Sequence, residues 1–339
     1  MVALLAVLSV LASVPASGVA APSSPPPSSP FAWDPNCYKT YEQVEAFMRA
    51  QAQQYPQVAA LVDAGPSWEG TRRLWALRLG SARVAGEKPT LLLVGGQHPR
   101  DIATSEMLMR FAAYLAAGYG ADPDVTWLLD HRTIIVLPLA NPDSYYRVYH
   151  GVPSAFKNAN ANYCPSNSLY RGADINRNYP FAWNTVGTSQ NQCDSSYPGP
   201  VALSEPESRA VLTLAVESGV DLSLNLQAPG PSVLYPWGYT AEPPPDAEGL
   251  ATLGLAFGRL NGTPPGAVTT HNARMPISGI LDDTLYGEYG TPAFTLNIGT
   301  DYAPVCNDLL PMWNAQRPAM LYAAAGKIRS GHRVLLQGV

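Results

Sequence analysis

Two periods of apolar residues alternate along the chain. In YEQVEAFMRAQAQQYP, residues 41–56, apolar positions fall at helical spacing, and Thr40 with Gln43 three positions later predicts a capping box. RRLWALRLG and PTLLLVGG then read as strands, the second buried on both faces because its core is continuous Leu and Val. IATSEMLMRFAAYLAAG returns to helical spacing through Ile102, Leu108, Phe111 and Leu115. RTIIVLPL is another buried strand, running out at Asn141, Pro142 and Asp143. SEPESRAVLTLAVES predicts a helix with a second capping box, Ser204 with Glu207. DLSLNLQ, LYPWGY, a helix over 248–259, PAFTLNIG and a helix from Leu309 to Ile328 follow. Strands alternating with helices predict an α/β fold, with a largely parallel sheet covered on both faces.

The amino end departs from this pattern. An apolar run from Val2 to Leu11, broken only by Ser9, precedes small residues ending in Ala20 and Ala21. That is the layout of a secretory signal over residues 1–20, too short to span a bilayer, although no Lys or Arg precedes it. Residues 21–33 include PSSPPPSSP and read as a Pro/Ser linker, which leaves 34–339 as one folded domain. The expected location is secreted or extracellular, or the periplasm in a Gram-negative bacterium.

Composition narrows the partner. Basic residues number 21 against 26 acidic ones and are scattered, which argues against a nucleic-acid backbone and for a small molecule or peptide. Four cysteines in an exported chain predict two disulfides, with three pairings open. No Cys-x-x-Cys pair suggests a zinc ribbon.

In an α/β fold the chemistry gathers where strands end at their carboxyl side. His98 and Asp101 stand there in GGQHPRDIATSE, Asn141 and Asp143 at a second strand end, and Gln227 at a third. His-x-x-Asp by itself reads either as half a metal site or as a loop that holds a histidine and an acid.

Five segments, in order, carry a resemblance. GGQHPRDIATSE resembles the zinc-binding Gly-x-His-x-x-Glu segment of the carboxypeptidase A/B family. NPDSYYRV resembles that family's Asn-Pro-Asp-Gly-Tyr stretch, and DINRNYPFAWN its Asp-Leu-Asn-Arg-Asn-Phe segment. CDSSYPGPVALSEPESRAV and LYPWGY are similar to two further family segments. The resemblance covers residue 35 to the end and implies one domain, a mixed, mostly parallel twisted sheet of about eight strands with helices on both faces. The family removes the C-terminal residue of peptides with a zinc ion held by two His and one Glu, the kind of site carboxypeptidase A exemplifies.

Carried over position by position, the resemblance places the metal ligands at His98, at Asp101 in place of Glu, and at Gln227 in place of the second His. None of His131, His150, His271 and His332 stands in a ligand motif. The general-base Glu becomes Asn297, and the lid Tyr becomes Met275. Asn176 and Arg177 match the clamp on the substrate's terminal carboxylate, with Lys157 at a further clamp position. Asp282 falls at the base of the side-chain pocket, which in the family implies a preference for C-terminal Lys or Arg. The resemblance also implies the pairs Cys164 with Cys193 and Cys37 with Cys306. Zinc is the implied cofactor, with its occupancy open, and peptide or protein C-termini are the implied partners. The expected function is a secreted family protein with weak or lost peptidase activity; the alternative is a non-catalytic binder of peptide C-termini.

Overall fold

A computed structural model describes residues 37–165 and 169–326. The signal and linker readings fall outside these residues, as do positions 327–328 of the expected last helix.

Eight strands form one mixed sheet: β1 (Ala59–Pro66), β2 (Arg73–Leu79), β3 (Thr90–Val94), β4 (Thr133–Leu137), β5 (Leu222–Gln227), β6 (Ser232–Tyr235), β7 (Val268–Thr270) and β8 (Ala293–Asn297). Their order is β1-β2-β4-β3-β5-β8-β6-β7. The four central strands β4, β3, β5 and β8 are parallel, so their carboxyl ends meet on one edge. The helices are α1 (Tyr41–Gln54), α2 (Ile102–Gly118), α3 (Pro123–His131), α4 (Pro142–Tyr149), α5 (Pro206–Glu217), α6 (Ala247–Asn261), α7 (His271–Arg274), α8 (Leu281–Tyr289) and α9 (Cys306–Ala325).

Strand alternation sorts the core into two layers. Leu91 and Leu93 of β3 face α1, α2, α6 and α9, while Leu92 and Val94 face α5 and α8. The continuous apolar run in β3 thus fills both layers, as its composition predicts. In β5, and in β8 beyond Ala293, only one face is apolar. Leu222, Leu224, Leu226, Phe294 and Leu296 join the first layer, leaving Ser223, Asn225, Gln227, Thr295 and Asn297 as the alternate positions toward α5 and α8. That polar face leads to the sheet's carboxyl edge.

Local signals held where the chain end stays exposed. Thr40 and Gln43 form the capping box reciprocally, at 3.4 and 2.9 Å. The box expected from Ser204 and Glu207 does not form; Glu205 is the N-cap residue and makes no side-chain cap. Burial redirects the side chains. Glu207 accepts from the Trp68 backbone N–H at 2.9 Å and from Asn158 Nδ2 at 3.0 Å, and Glu205 accepts from the same amide at 2.7 Å. Both disulfides implied by the resemblance are present: Cys37 pairs with Cys306, and Cys164 with Cys193.

The Glu205 and Glu207 carboxyls are both fully buried, and burial pushes Glu207 up to about 7, with Glu205 adding to the rise against the hydrogen bonds. A raised carboxyl costs nothing below its unfolded value of about 4.3 and costs most above its folded one. Stability should therefore fall as pH rises from about 4.3 to about 7, and Glu207→Gln should flatten that fall. Urea midpoints measured across this range check it; an unchanged slope in the variant would refute the assignment.

Candidate active site

The site begins where β3 stops. Gly96 has φ +62°, and a Cβ there would lie 2.8 Å from Leu139 Cδ1 and 3.2 Å from the Pro138 carbonyl, so only glycine lets the chain turn against the β4 exit. Asn141 braces the same turn by donating to the Gln97 carbonyl at 3.1 Å. The turn delivers His98, then Asp101 at the start of α2. Asp101 does not cap that helix; its Oδ2 accepts the Ala228 N–H at 3.1 Å, which ties it to the end of β5.

Asp174 closes the arrangement from the loop before a short 3-10 turn, Ile175–Arg177. Its Oδ1 lies 3.1 Å from His98 Nε2 and accepts the Asn176 N–H at 3.0 Å, while its Oδ2 accepts from Arg177 Nη1. His98 Nδ1 is left 3.8 Å from Asp101 Oδ2. Burial by itself would lower His98, but Asp174 and Asp101 outweigh it and raise the imidazole to about 9. Burial opposes ionisation of Asp174, yet His98 and Arg177 hold it far below the carboxylate range. Asp174 stands two positions before Asn176 in the quoted segment, but its contact with His98 spans 76 residues. No local signal pointed to it.

Part of this arrangement fits a metal site. A ligating histidine usually donates its second ring N–H to a carboxylate, and Asp174 fills that role for His98. Asp101 Oδ1 is buried without a hydrogen-bond partner, as an oxygen suited to a cation would be. The rest does not fit. Asp174 has its oxygens engaged by His98, Asn176 and Arg177, and the orphaned atom of Gln227 is Nε2, a donor. Turning that amide over offers a neutral oxygen, a weaker zinc ligand than imidazole. Among the described residues no group of three His, Cys, Asp or Glu is placed to hold a metal ion. The residues present do not match a two-imidazole zinc site.

Asn297 sits beside Gln227 in register, on the neighbouring parallel strand. Its Nδ2 donates to Ser232 Oγ at 2.9 Å, and an amide takes no proton from water at ordinary pH. Met275, which the resemblance places at the lid position, caps the end of α7 and is 54% exposed.

The positions that the resemblance assigns to the carboxylate clamp are held in different ways. Arg177 is held by Asp174 and by the Gly187 carbonyl, which Nε reaches at 2.9 Å. Asn176 lies buried beside it. Lys157 differs from its expected clamp role. Its stem is buried and its Nζ donates to the Gln192 and Asp194 carbonyls, each at 2.8 Å, so it braces the loop closed by Cys164 and Cys193. Burial pushes Lys157 down to about 8, against Asp174 and Asp194. Asp143 also lies apart from the site, pairing with the Glu69 N–H at 2.7 Å and with Arg72 at 3.1 Å. Asp282 is 1% exposed and meets His271 and Thr295.

Two residues at the site were missed in the sequence. His271 is one. The other is Arg100, whose guanidinium lies over the Phe156 and Tyr302 rings at 4.6 and 4.3 Å, with Nε 3.9 Å from Asp101 Oδ1. Its place between His98 and Asp101 was visible; the aromatic partners, far off in sequence, were not.

Known proteins match this architecture. The zinc carboxypeptidase family profile matches residues 44–319. A carboxypeptidase B of Astacus astacus is 30% identical over 269 residues, 77% of this chain and 86% of that protein. A carboxypeptidase B of Helicoverpa zea is 31% identical over 65% of this chain, which spans about half of that relative's length (51%). An inactive metallocarboxypeptidase, ecm14 of Talaromyces marneffei, is 29% identical over 65% of this chain and 38% of its own. Among solved structures, the carboxypeptidase A of Helicoverpa armigera superposes with TM-score 0.75 at 23% identity, over 86% of this chain and 75% of that one. Thrombin activatable fibrinolysis inhibitor gives 0.78 at 19%, over 86% and 74%. At those identities the structures speak to the fold, and the profile speaks to descent. Its span runs from the first helix into the last, through every strand of the sheet, and on that extent the chain belongs to the zinc carboxypeptidase family.

Proposed function

We propose that the chain is a secreted family member that binds peptide C-termini and hydrolyses them weakly or not at all. The observation that carries this is the contrast between two halves of one site. The carboxylate clamp is intact: Arg177 is oriented by Asp174 and Gly187, Asn176 is buried at its side, and a planar guanidinium suits a carboxylate. The reaction half lacks its base at Asn297 and its second imidazole at Gln227. General-base catalysis worth on the order of 10²- to 10⁴-fold is thereby lost.

Export is supported by the two disulfides and by the amino-terminal sequence. No helix among the described residues is long and apolar enough to cross a membrane.

A second reading, a working peptidase that uses a divalent ion at the altered site, is favoured by one observation: His98 is already backed by Asp174 and turns Nδ1 toward Asp101. Metal content of the purified protein and hydrolysis of a blocked dipeptide ending in Arg, with and without chelator, separate the two. The expected result is substoichiometric metal, turnover near background, and saturable binding of the same dipeptide. Chelator-sensitive turnover well above background would overturn the first reading in favour of the second.

A further inference from the structure

Ser278 is fully buried, and its hydroxyl makes every hydrogen bond open to it. Oγ accepts the Thr185 and Val186 N–H groups, both at 3.1 Å, and donates to the Val186 carbonyl at 2.9 Å. One side chain therefore fixes both backbone groups of Val186. The next residue is Gly187, whose carbonyl takes the Arg177 Nε at 2.9 Å.

The chain around Ser278 is itself held from two sides. The Ile277 N–H donates to the Gly238 carbonyl at 3.0 Å, just past β6, and the Gly279 carbonyl accepts the Tyr179 N–H at 2.9 Å. The second bond reaches the same stretch that carries Asn176 and Arg177. Gly187 packs against this support as well: its φ is +68°, and a Cβ there would overlap the Pro276 carbonyl. The loop over 185–187 thus lies between Ser278 and Arg177 and touches both.

We propose that Ser278 is a positioning residue for Arg177, setting through the Gly187 carbonyl which edge of the guanidinium meets a peptide's terminal carboxylate. This rests on the peptide C-terminus reading above. A guanidinium presents its N–H donors in a fixed fork. Gly187 takes Nε and Asp174 takes a hydrogen of Nη1, so the side edge formed by Nε and Nη2 is closed, and Nη2 with the second Nη1 hydrogen remains for the ligand. Asp174 supplies charge, and Gly187 supplies direction. A fork held at two nitrogens has lost its rotation before the peptide arrives, which leaves less ordering to oppose binding. Without the Ser278 hydroxyl, the Thr185 and Val186 N–H groups turn to water, since Thr185 is exposed and Val186 half-buried, and the Gly187 carbonyl loses its aim.

The test uses the full chain and one labelled peptide ending in Arg, prepared as the free acid and as the C-terminal amide, with affinities read by fluorescence anisotropy. The ratio of the two affinities reports the carboxylate contact. A purely structural loss would lower the folded fraction for both peptides alike and leave the ratio unmoved. Ser278→Ala should lower the ratio on the order of tenfold, as loss of one hydrogen bond to a charged group implies. Arg177→Lys, which removes the Nε donor, should lower it too, and the double variant should lose less than the product of the two single losses, because both remove the same contact. An unchanged ratio in Ser278→Ala, or losses that multiply independently, would overturn the proposal with the peptide reading intact. Gly187→Ala, at an exposed position, displaces the same carbonyl and should lower the ratio in the same direction, which keeps the proposal open to refutation if Ser278→Ala does not fold; an unchanged ratio there overturns it. An unaltered chain that binds acid and amide equally well would instead sink the C-terminus reading, and this inference with it.

Discussion

The double variant Gln227→His with Asn297→Glu is expected to bind zinc near stoichiometrically and to hydrolyse a blocked dipeptide ending in Arg, on the order of 10²- to 10⁴-fold faster than the unaltered chain. The strand register makes the two changes one repair. Gln227 and Asn297 are paired on adjacent parallel strands, and Asp101 is tied to the following residue by the Ala228 N–H. An imidazole at 227 would stand next to Ala228, whose N–H holds Asp101, on the side of the site where Asp174 already orients His98. A carboxylate at 297 would supply the proton acceptor that the amide cannot. Gln227→His alone should raise zinc content without turnover, and Asn297→Glu alone should change neither. Elemental analysis and a chelator-controlled rate measurement check this. A double variant that takes up zinc and hydrolyses nothing would show that the loss extends beyond these side chains.

Asp174→Ala should lower stability by about 1.5 to 3 kcal/mol, because it removes a fully buried carboxylate whose charge-assisted hydrogen bonds reach both His98 and the half-buried Arg177. Peptide binding should fall with it, since Arg177 would lose the partner that aims it. The pH dependence gives a separate readout. His98, raised to about 9, contributes stability in full below about pH 6.5 and loses it as pH climbs through about 9. Asp174 contributes above its unfolded value of about 3.9 and loses that contribution only as pH falls well below it. The unaltered chain should therefore lose stability between about pH 6.5 and 9, a window that meets the one assigned to Glu207 only at about pH 6.5 to 7, and the variant should lose much less there. Thermal unfolding across both windows measures it. An equal alkaline loss in the variant would mean that Asp174 does not hold the imidazole charge.

Elements were legible where one force dominated. β3, β4 and α2 bury nearly everything they carry, so their apolar runs announced them. β1 and β7 escaped notice because half-buried positions blur the alternation, and α4 because Asn141, Pro142 and Asp143 read as the end of a strand. Ser204 and Glu207 had the spacing of a capping box, but a buried carboxylate takes the strongest donors within reach, and those came from Trp68 and Asn158. Lys157 had the right position for a clamp and found a carbonyl cradle instead.

By itself the sequence determined the alternating fold and the segments in family order, and the resemblance assigned Asp101, Gln227, Asn297 and Met275 to altered site positions, because each is a matter of residue identity at a recognisable position. Only the tertiary structure decided how the survivors are used. Asp174 reaches His98 across 76 residues, Ala228 reaches Asp101 across 127, and Asp282 is buried against His271 and Thr295 at once. Charges and hydrogen bonds act through space, at distances of about 3 Å that chain order does not encode. Burial then sets how strongly each contact shifts a proton, and burial belongs to the assembled sheet and its helices.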